Sequence, residues 1–157
     1  MENTRWIVVG TDFSAGAACA LDQAVSLAAK VDASVACVHA YEDSLGTSFH
    51  EDPTAAVDAK LVEAVAASTA QARGVRVERI VRRGPAWEKL LNVACELGAP
   101  LIVVGANGEG HAPHQMFLGR VASRLTSIAT RMVLVVPERV DASLSFEDGA
   151  TPRAIAS

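Results

Sequence analysis

Four glycines and one arginine lie in a short stretch of the chain that could hold an anion. Gly105, Gly108 and Gly110 follow an apolar run, and Gly119 and Arg120 stand where an amphipathic segment begins. Glycines between a strand and a helix let the backbone approach a phosphate without an intervening Cβ. The N–H groups of the first helical turn then supply donors and a partial positive charge. The stretch therefore predicts a phosphate-binding loop, or a glycine turn that only reverses the chain.

Arg120 stands where a small hydroxyl residue would be expected, and the stretch contains no lysine. A guanidinium carries a full charge and up to five donors, and it can hold a phosphate through two hydrogen bonds. It is also bulky enough to fill the space of a terminal phosphate. From the residues alone, both alternatives stay open.

Asp12 and Ser14 form a second candidate group, because they directly follow the first apolar run. Ser14 can cap a helix that starts after it, and Asp12 can support that cap. Asp12 can also face a ligand, and the two roles do not exclude each other.

His111 and His114 flank a proline within the glycine stretch. Two histidines three residues apart can bind one metal ion, but no cysteine or third ligand lies close in sequence. We interpret them as solvent-facing loop residues and predict no metal site. Contact with a phosphate, or a change of charge near neutral pH, stays open for both.

No catalytic motif accompanies these residues. The chain has no Gly-x4-Gly-Lys-[Ser/Thr] loop, no Gly-x-Ser-x-Gly elbow and no kinase signature. We therefore predict no catalytic residue, and slow ATP hydrolysis is the enzymatic alternative.

Apolar runs alternate along the chain with segments of helical periodicity. The predicted strands comprise residues 6–10, 33–41, 75–84, 100–105 and 132–136. The predicted helices comprise residues 15–30, 55–72, 85–97 and 120–130, with Pro85 at the first helical position. The polar stretch from Glu42 to Thr54 is interpreted as a loop.

Alternating strands and helices predict an α/β fold, with a five-stranded, doubly wound parallel sheet and helices on both faces. We expect the strand order 3-2-1-4-5. Ligands bind such sheets at the carboxyl ends of the strands, beside the switch in strand order. The loops after strands one and four are therefore the expected site. We predict one domain over residues 1–137 and a loose extension over residues 138–157.

Composition excludes several classes of partner. The net charge of −4 gives no basic surface for nucleic acid, and no apolar run is long enough to span a membrane. The N-terminal residues lack the layout of a signal peptide. Cys19, Cys37 and Cys95 are scattered, which favours small buried residues in a reducing cytoplasm over disulfides or zinc ligands.

Three stretches of the chain have a familiar pattern: "IVVGTDFSAGAACALDQAVSLAAKVDASVACVHAY", "GPAWEKLLNVACELGAPLIVVGANG" and "GRVASRLTSIATRMVLVVP". In this order they resemble the universal stress protein family. The resemblance covers Trp6 to Pro137. It implies a stress-response regulator or sensor, and one branch of the family binds ATP through the pattern Gly-x2-Gly-x9-Gly-[Ser/Thr].

This chain follows that pattern with departures on the phosphate side. Gly105 and Gly108 match, but ten residues separate Gly108 from Gly119, and Arg120 replaces the Ser/Thr. Asn107 stands where the family often has Arg or His. The resemblance implies ATP as ligand, with or without Mg²⁺. The residues that it implies in binding are Asp12, Ala40, Gly105, Asn107, Gly108, Gly119, Arg120 and Val121.

The resemblance also implies a homodimer paired through the last strand, from Met132 to Val136. Such an apolar strand should not remain an open edge, although the tail from Glu138 is an alternative cover. A regulatory partner protein is implied but not identified. A universal stress protein that binds no nucleotide and acts as a dimeric interaction module is the other alternative.

Overall fold

The computed structural model of the chain describes residues 4–42, 54–69, 74–108 and 117–138. Its strands are β1 Arg5–Gly10, β2 Ala33–Tyr41, β3 Val77–Arg83, β4 Leu101–Gly105 and β5 Met132–Val136. Its helices are α1 Ala15–Val31, α2 Thr54–Thr69, α3 Ala86–Glu96 and α4 Arg120–Ile128. The strands form one sheet in the order β3-β2-β1-β4-β5, and every pair is parallel. The predicted fold class and strand order are confirmed.

Some predictions fall outside the described residues. They are most of the loop from Glu42 to Thr54, the end of the second helix, Gly110, His111, His114 and nearly all of the C-terminal extension. Several predicted boundaries differ from the structure by one or two residues: β3 begins at Val77 and not at Val75, and α4 ends at Ile128 and not at Thr130. Pro85 is the N-cap of α3, with ψ 129°, and not its first helical residue. A proline lacks the N–H that either position would leave unpaired, so the sequence did not distinguish the two.

The core consists of two apolar clusters, one on each face of the sheet. Val9 of β1 packs with Leu21 of α1 and Leu61 of α2, whereas Val8 packs with Leu90 of α3 and Leu125 of α4. Successive side chains of a strand point to opposite faces, so a strand covered on both sides needs an unbroken apolar run. This arrangement places α1 and α2 on one face and α3 and α4 on the other.

Strand β1 lies in the middle of the sheet and marks the switch in strand order. Val8 is in register with Ala36 of β2 on one side and with Ile102 of β4 on the other. The chain leaves β1 toward α1 on one face of the sheet, and it leaves β4 toward α4 on the other face. The helices that follow the two strands thus lie on different faces, and a crevice opens at the carboxyl ends of these strands.

The three cysteines are free, but they differ in exposure. Cys37 is fully buried in β2, and desolvation raises the pKa of its thiol to about 12. Cys19 is partly buried. Cys95 is exposed, so the expectation that all three are buried was wrong for this residue.

We expect the native protein to react with a thiol reagent first at Cys95, because only a thiolate attacks the reagent and Cys37 stays protonated and covered. Cys37 should react only after denaturation. Timed labelling followed by peptide mass spectrometry measures this order. Early labelling of Cys37 in the native protein would contradict the packing of β2.

Candidate functional site

All eight residues predicted to bind a ligand line one cavity of about 250 Å³ at the carboxyl ends of β1 and β4. They are Asp12, Ala40, Gly105, Asn107, Gly108, Gly119, Arg120 and Val121. The cavity is also lined by Gly10, Thr11, Ala17, Val38, Ala86, Leu90, Val104 and Ala122. The structure thus brings the predicted residues together, and their contact with a ligand stays a prediction.

The loop between β1 and α1 holds the carboxylate of Asp12 in place. Asp12 Oδ1 accepts hydrogen bonds from the backbone N–H of Ser14 at 3.0 Å and from its hydroxyl at 2.5 Å. The Ser14 oxygen accepts in turn from the N–H of Ala17 at 3.1 Å, so Ser14 caps α1 as predicted. Asp12 thereby supports the cap and lines the cavity at once.

Phe13 has a left-handed backbone, with φ 66°, which is uncommon for a residue other than glycine. Its N–H donates to the Thr11 hydroxyl at 3.1 Å. Its ring lies against that of His39 with the ring planes tilted by 32° and the centroids 4.7 Å apart, and His39 Nδ1 lies 2.9 Å from the carbonyl oxygen of Thr11. The sequence patterns missed these contacts, which hold the β1–α1 loop in an unusual conformation.

Gly105 and Gly108 have different neighbours in this loop region. A Cβ on Gly105 would lie 2.8 Å from the backbone carbon of Gly16, so the start of α1 packs directly against the end of β4. A Cβ on Gly108 would collide with Asp12 Oδ2. Gly105 therefore needs to lack a side chain so that α1 can pack against β4. Gly108 needs to lack one so that the Asp12 carboxylate can take its place.

Helix α4 begins at the edge of the cavity. Gly119 is its N-cap and makes no side-chain capping bond, while its own N–H donates to the carbonyl oxygen of Ala106 at 2.7 Å. The N–H groups of the first turn have no partner within the helix and carry the positive end of its dipole. Arg120 opens the helix with an exposed side chain. This end of the cavity is therefore suited to negative charge.

The opposite wall of the cavity is apolar. It is lined by Val38, Ala40, Ala86, Leu90 and Val104. Sequence reasoning missed the contribution of α3, which comes from Ala86 and Leu90. The glycine at position 10 is a feature of the sequence that could have indicated this contact, because a Cβ there would lie 2.9 Å from Leu90 Cδ1. The cavity thus joins an apolar wall to a polar end that holds the start of α4, Arg120 and the Asp12 carboxylate, a combination typical of small-molecule sites.

Among the described residues, no group of three His, Cys, Asp or Glu side chains could hold a metal ion. In the same part of the chain, no helix is long and apolar enough to cross a membrane.

Comparisons with known proteins agree on one family. Universal stress protein YxiE of Bacillus subtilis is 28% identical over 144 residues, which cover 83% of this chain and 97% of that protein. A crystal structure of a universal stress protein in complex with cAMP is 28% identical, with a TM-score of 0.68, and covers 87% of this chain and 98% of the other. A family member from Burkholderia pseudomallei is 30% identical, with a TM-score of 0.59 and the same coverage.

The sequence model of the universal stress protein family matches residues 3–137, which include every helix and strand described above. The chain therefore belongs to the universal stress protein family.

Proposed function

We propose that this protein binds an adenine nucleotide, ATP in particular, in the cavity at the ends of β1 and β4, and that it acts as a cytoplasmic regulator or sensor in a stress response. The observation that carries the proposal is the convergence of all eight predicted binding residues on that one cavity. The cAMP complex of a universal stress protein that is 28% identical supports it. The three free cysteines suit a reducing compartment.

The two ends of the cavity suit the two ends of a nucleotide. The apolar wall of Val38, Ala40 and Leu90 would receive the base, and the Asp12 carboxylate would accept hydrogen bonds from the ribose. The start of α4 and Arg120 would receive the phosphates. A Mg²⁺ ion would be held through phosphate oxygens and water, which suits this ion and the lack of a metal-binding cluster among the described residues.

Mass spectrometry of nucleotide that copurifies with the protein tests this proposal, together with titration calorimetry using ATP, cAMP and adenosine. We expect micromolar or tighter binding of an adenine nucleotide and no binding of a pyrimidine nucleotide. A protein that binds none of these ligands would favour the alternative of a dimeric interaction module. Phosphate release at a rate that depends on this cavity would favour the slow ATPase.

We predict that Arg120→Ala weakens the binding of ATP by about 1.5–3 kcal/mol, the range for a hydrogen bond to a charged group. Adenosine, which has no phosphate, should bind equally well to both proteins. Titration calorimetry measures both affinities. Arg124→Ala is the matched control, because Arg124 lies one turn further along α4 with its guanidinium over the Trp87 ring, 5.1 Å from the centroid, and does not line the cavity.

Two results would contradict this role of Arg120. Equal losses in the two alanine variants would indicate a general effect of charge. Tighter ATP binding by Arg120→Ser would indicate that the arginine occupies the space of a phosphate.

We further propose that two copies of the protein pair through β5. Strand β5 is an edge of the sheet, and Met132 and Leu134 are 62% and 38% exposed. Phe117, which precedes α4, is 82% exposed. An apolar edge strand invites pairing with another chain, and pairing across a two-fold axis closes after two copies. An unidentified regulatory protein would then bind the dimer.

A further inference from the structure

We propose that Ser14 is a positioning residue of the nucleotide site, and that it acts by holding the carboxylate of Asp12 in its binding orientation. This inference rests on the proposed function, because it concerns how Asp12 meets a ligand hydroxyl. The same serine caps α1, so its hydroxyl links the start of a helix to a wall of the cavity.

The hydrogen bonds of Ser14 allow one arrangement of its hydroxyl. The oxygen accepts from the N–H of Ala17 at 3.1 Å, which fixes the oxygen at the end of the helix. The hydroxyl proton then points to Asp12 Oδ1, 2.5 Å away, and the Ser14 N–H donates to that same oxygen at 3.0 Å. Two donors from one residue therefore fix the position of Oδ1.

The surroundings of this pair set the direction of the second carboxylate oxygen. The left-handed backbone of Phe13 turns the chain so that Asp12 and Ser14 face each other. Oδ2 is then directed toward Gly108, where a Cβ would collide with it. With Oδ1 fixed by Ser14 and room for Oδ2 provided by Gly108, the plane of the carboxylate is set before a ligand arrives.

A carboxylate that is already oriented loses less conformational freedom on binding. Ordering one side chain costs about 0.5–1.5 kcal/mol, which corresponds to a change in affinity of roughly 2- to 12-fold. Removal of the Ser14 hydroxyl should therefore weaken every ligand that carries the ribose hydroxyls, whether or not it carries phosphate. Arg120→Ala, by contrast, should weaken only the ligands that carry phosphate.

The simpler alternative is that Ser14 serves only as a helix cap. Ser14→Gly separates the two roles, because glycine is itself a well-tolerated N-cap residue, so the helix should stay capped while the hydroxyl is lost. Ser14→Thr retains both the cap and the hydroxyl. We expect similar thermal midpoints for both variants, a roughly 2- to 12-fold loss of affinity for ATP and adenosine in Ser14→Gly, and rescue in Ser14→Thr.

A double-mutant cycle with Asp12→Ala tests whether Ser14 acts through Asp12. In the Asp12→Ala background, Ser14→Gly should change the affinity for adenosine by less than about twofold. An equal loss with and without Asp12, or no loss when Asp12 is present, would overturn the proposal.

A second measurement needs no ligand and keeps this proposal distinct from the proposed function. Three-bond NMR couplings report the side-chain rotamer of Asp12 in the free protein. We expect one rotamer in the native protein and in Ser14→Thr, and couplings shifted toward rotamer averaging in Ser14→Gly, which keeps the backbone N–H donor to Oδ1 and loses the hydroxyl donor. A single rotamer in all three would overturn the positioning role, whereas failure of the native protein to bind any adenine nucleotide would overturn the proposed function itself.

Discussion

Gly108→Val should abolish nucleotide binding and leave the protein folded. Among the described residues, the atoms within 4 Å of a Cβ at this position belong to the Asp12 carboxylate, which can move aside only by giving up its hydrogen bonds from Ser14, so we expect the protein to stay folded while Asp12 loses its orientation. The ligand would lose its contact with Asp12 and would meet a branched side chain beside the phosphates. A lost hydrogen bond to a charged group is worth up to about 3 kcal/mol, a factor on the order of 100 in affinity. Titration calorimetry and thermal unfolding measure the two effects.

Two further variants serve as controls for Gly108→Val. Ala15→Val adds the same branched side chain at an exposed position in the first turn of α1, outside the cavity, and should keep its affinity for ATP. Gly105→Ala should instead lower the thermal midpoint, because its Cβ meets the backbone of Gly16, which cannot rotate away. Unchanged ATP binding by Gly108→Val would count against this cavity as the site.

Val135→Pro should convert the proposed dimer to a monomer, halving the mass measured by light scattering. The Met132 N–H donates to the Pro100 carbonyl oxygen, and the Val136 carbonyl oxygen accepts from the Ala106 N–H. Backbone groups alternate in direction along a strand, so the N–H of Val135 points away from β4 toward the open edge. Proline there removes a donor for the partner chain while the hydrogen bonds to β4 remain.

Leu134→Pro is the matched control for this experiment. Its N–H points toward β4, so proline at this position breaks a hydrogen bond within one chain and should lower the free energy of unfolding. If the native protein has the mass of one chain at micromolar concentration, pairing through β5 is ruled out. The alternative that the C-terminal tail covers this edge would then be favoured, with Val135→Pro affecting stability alone.

Much of the fold could be predicted because the type of a residue often indicates whether it is buried or caps a helix. Val8 and Val9 are both apolar, which predicts a strand covered on both faces, and they do lie in different clusters. Ser14 predicts a helix cap by its type and place. By contrast, the exposure of Cys95 depends on which face of α3 turns outward.

The candidate site was only partly predictable, since some residues in and around it belong to no recognisable sequence motif. In the sequence, Leu90 is one of the apolar residues of the α3 pattern. The structure places it beside Gly10 and in the wall of the cavity. Phe13 gives no sign in the sequence of its left-handed backbone, which depends on its contacts with Thr11 and His39. Such features arise from tertiary packing and leave no local pattern.

The position of β1 in the sheet has a consequence for the order of events during biosynthesis. This strand is made first, but the cavity at its end also needs Gly105 of β4 and Ala122 of α4, which are made much later. A nascent chain that ends before α4 lacks the part of the cavity that Arg120, Val121 and Ala122 line. A nucleotide bound there would stabilise only the completed fold, by RT ln(1 + [L]/Kd). The ligand would therefore protect finished protein from unfolding and degradation without assisting the earlier steps of its folding on the ribosome.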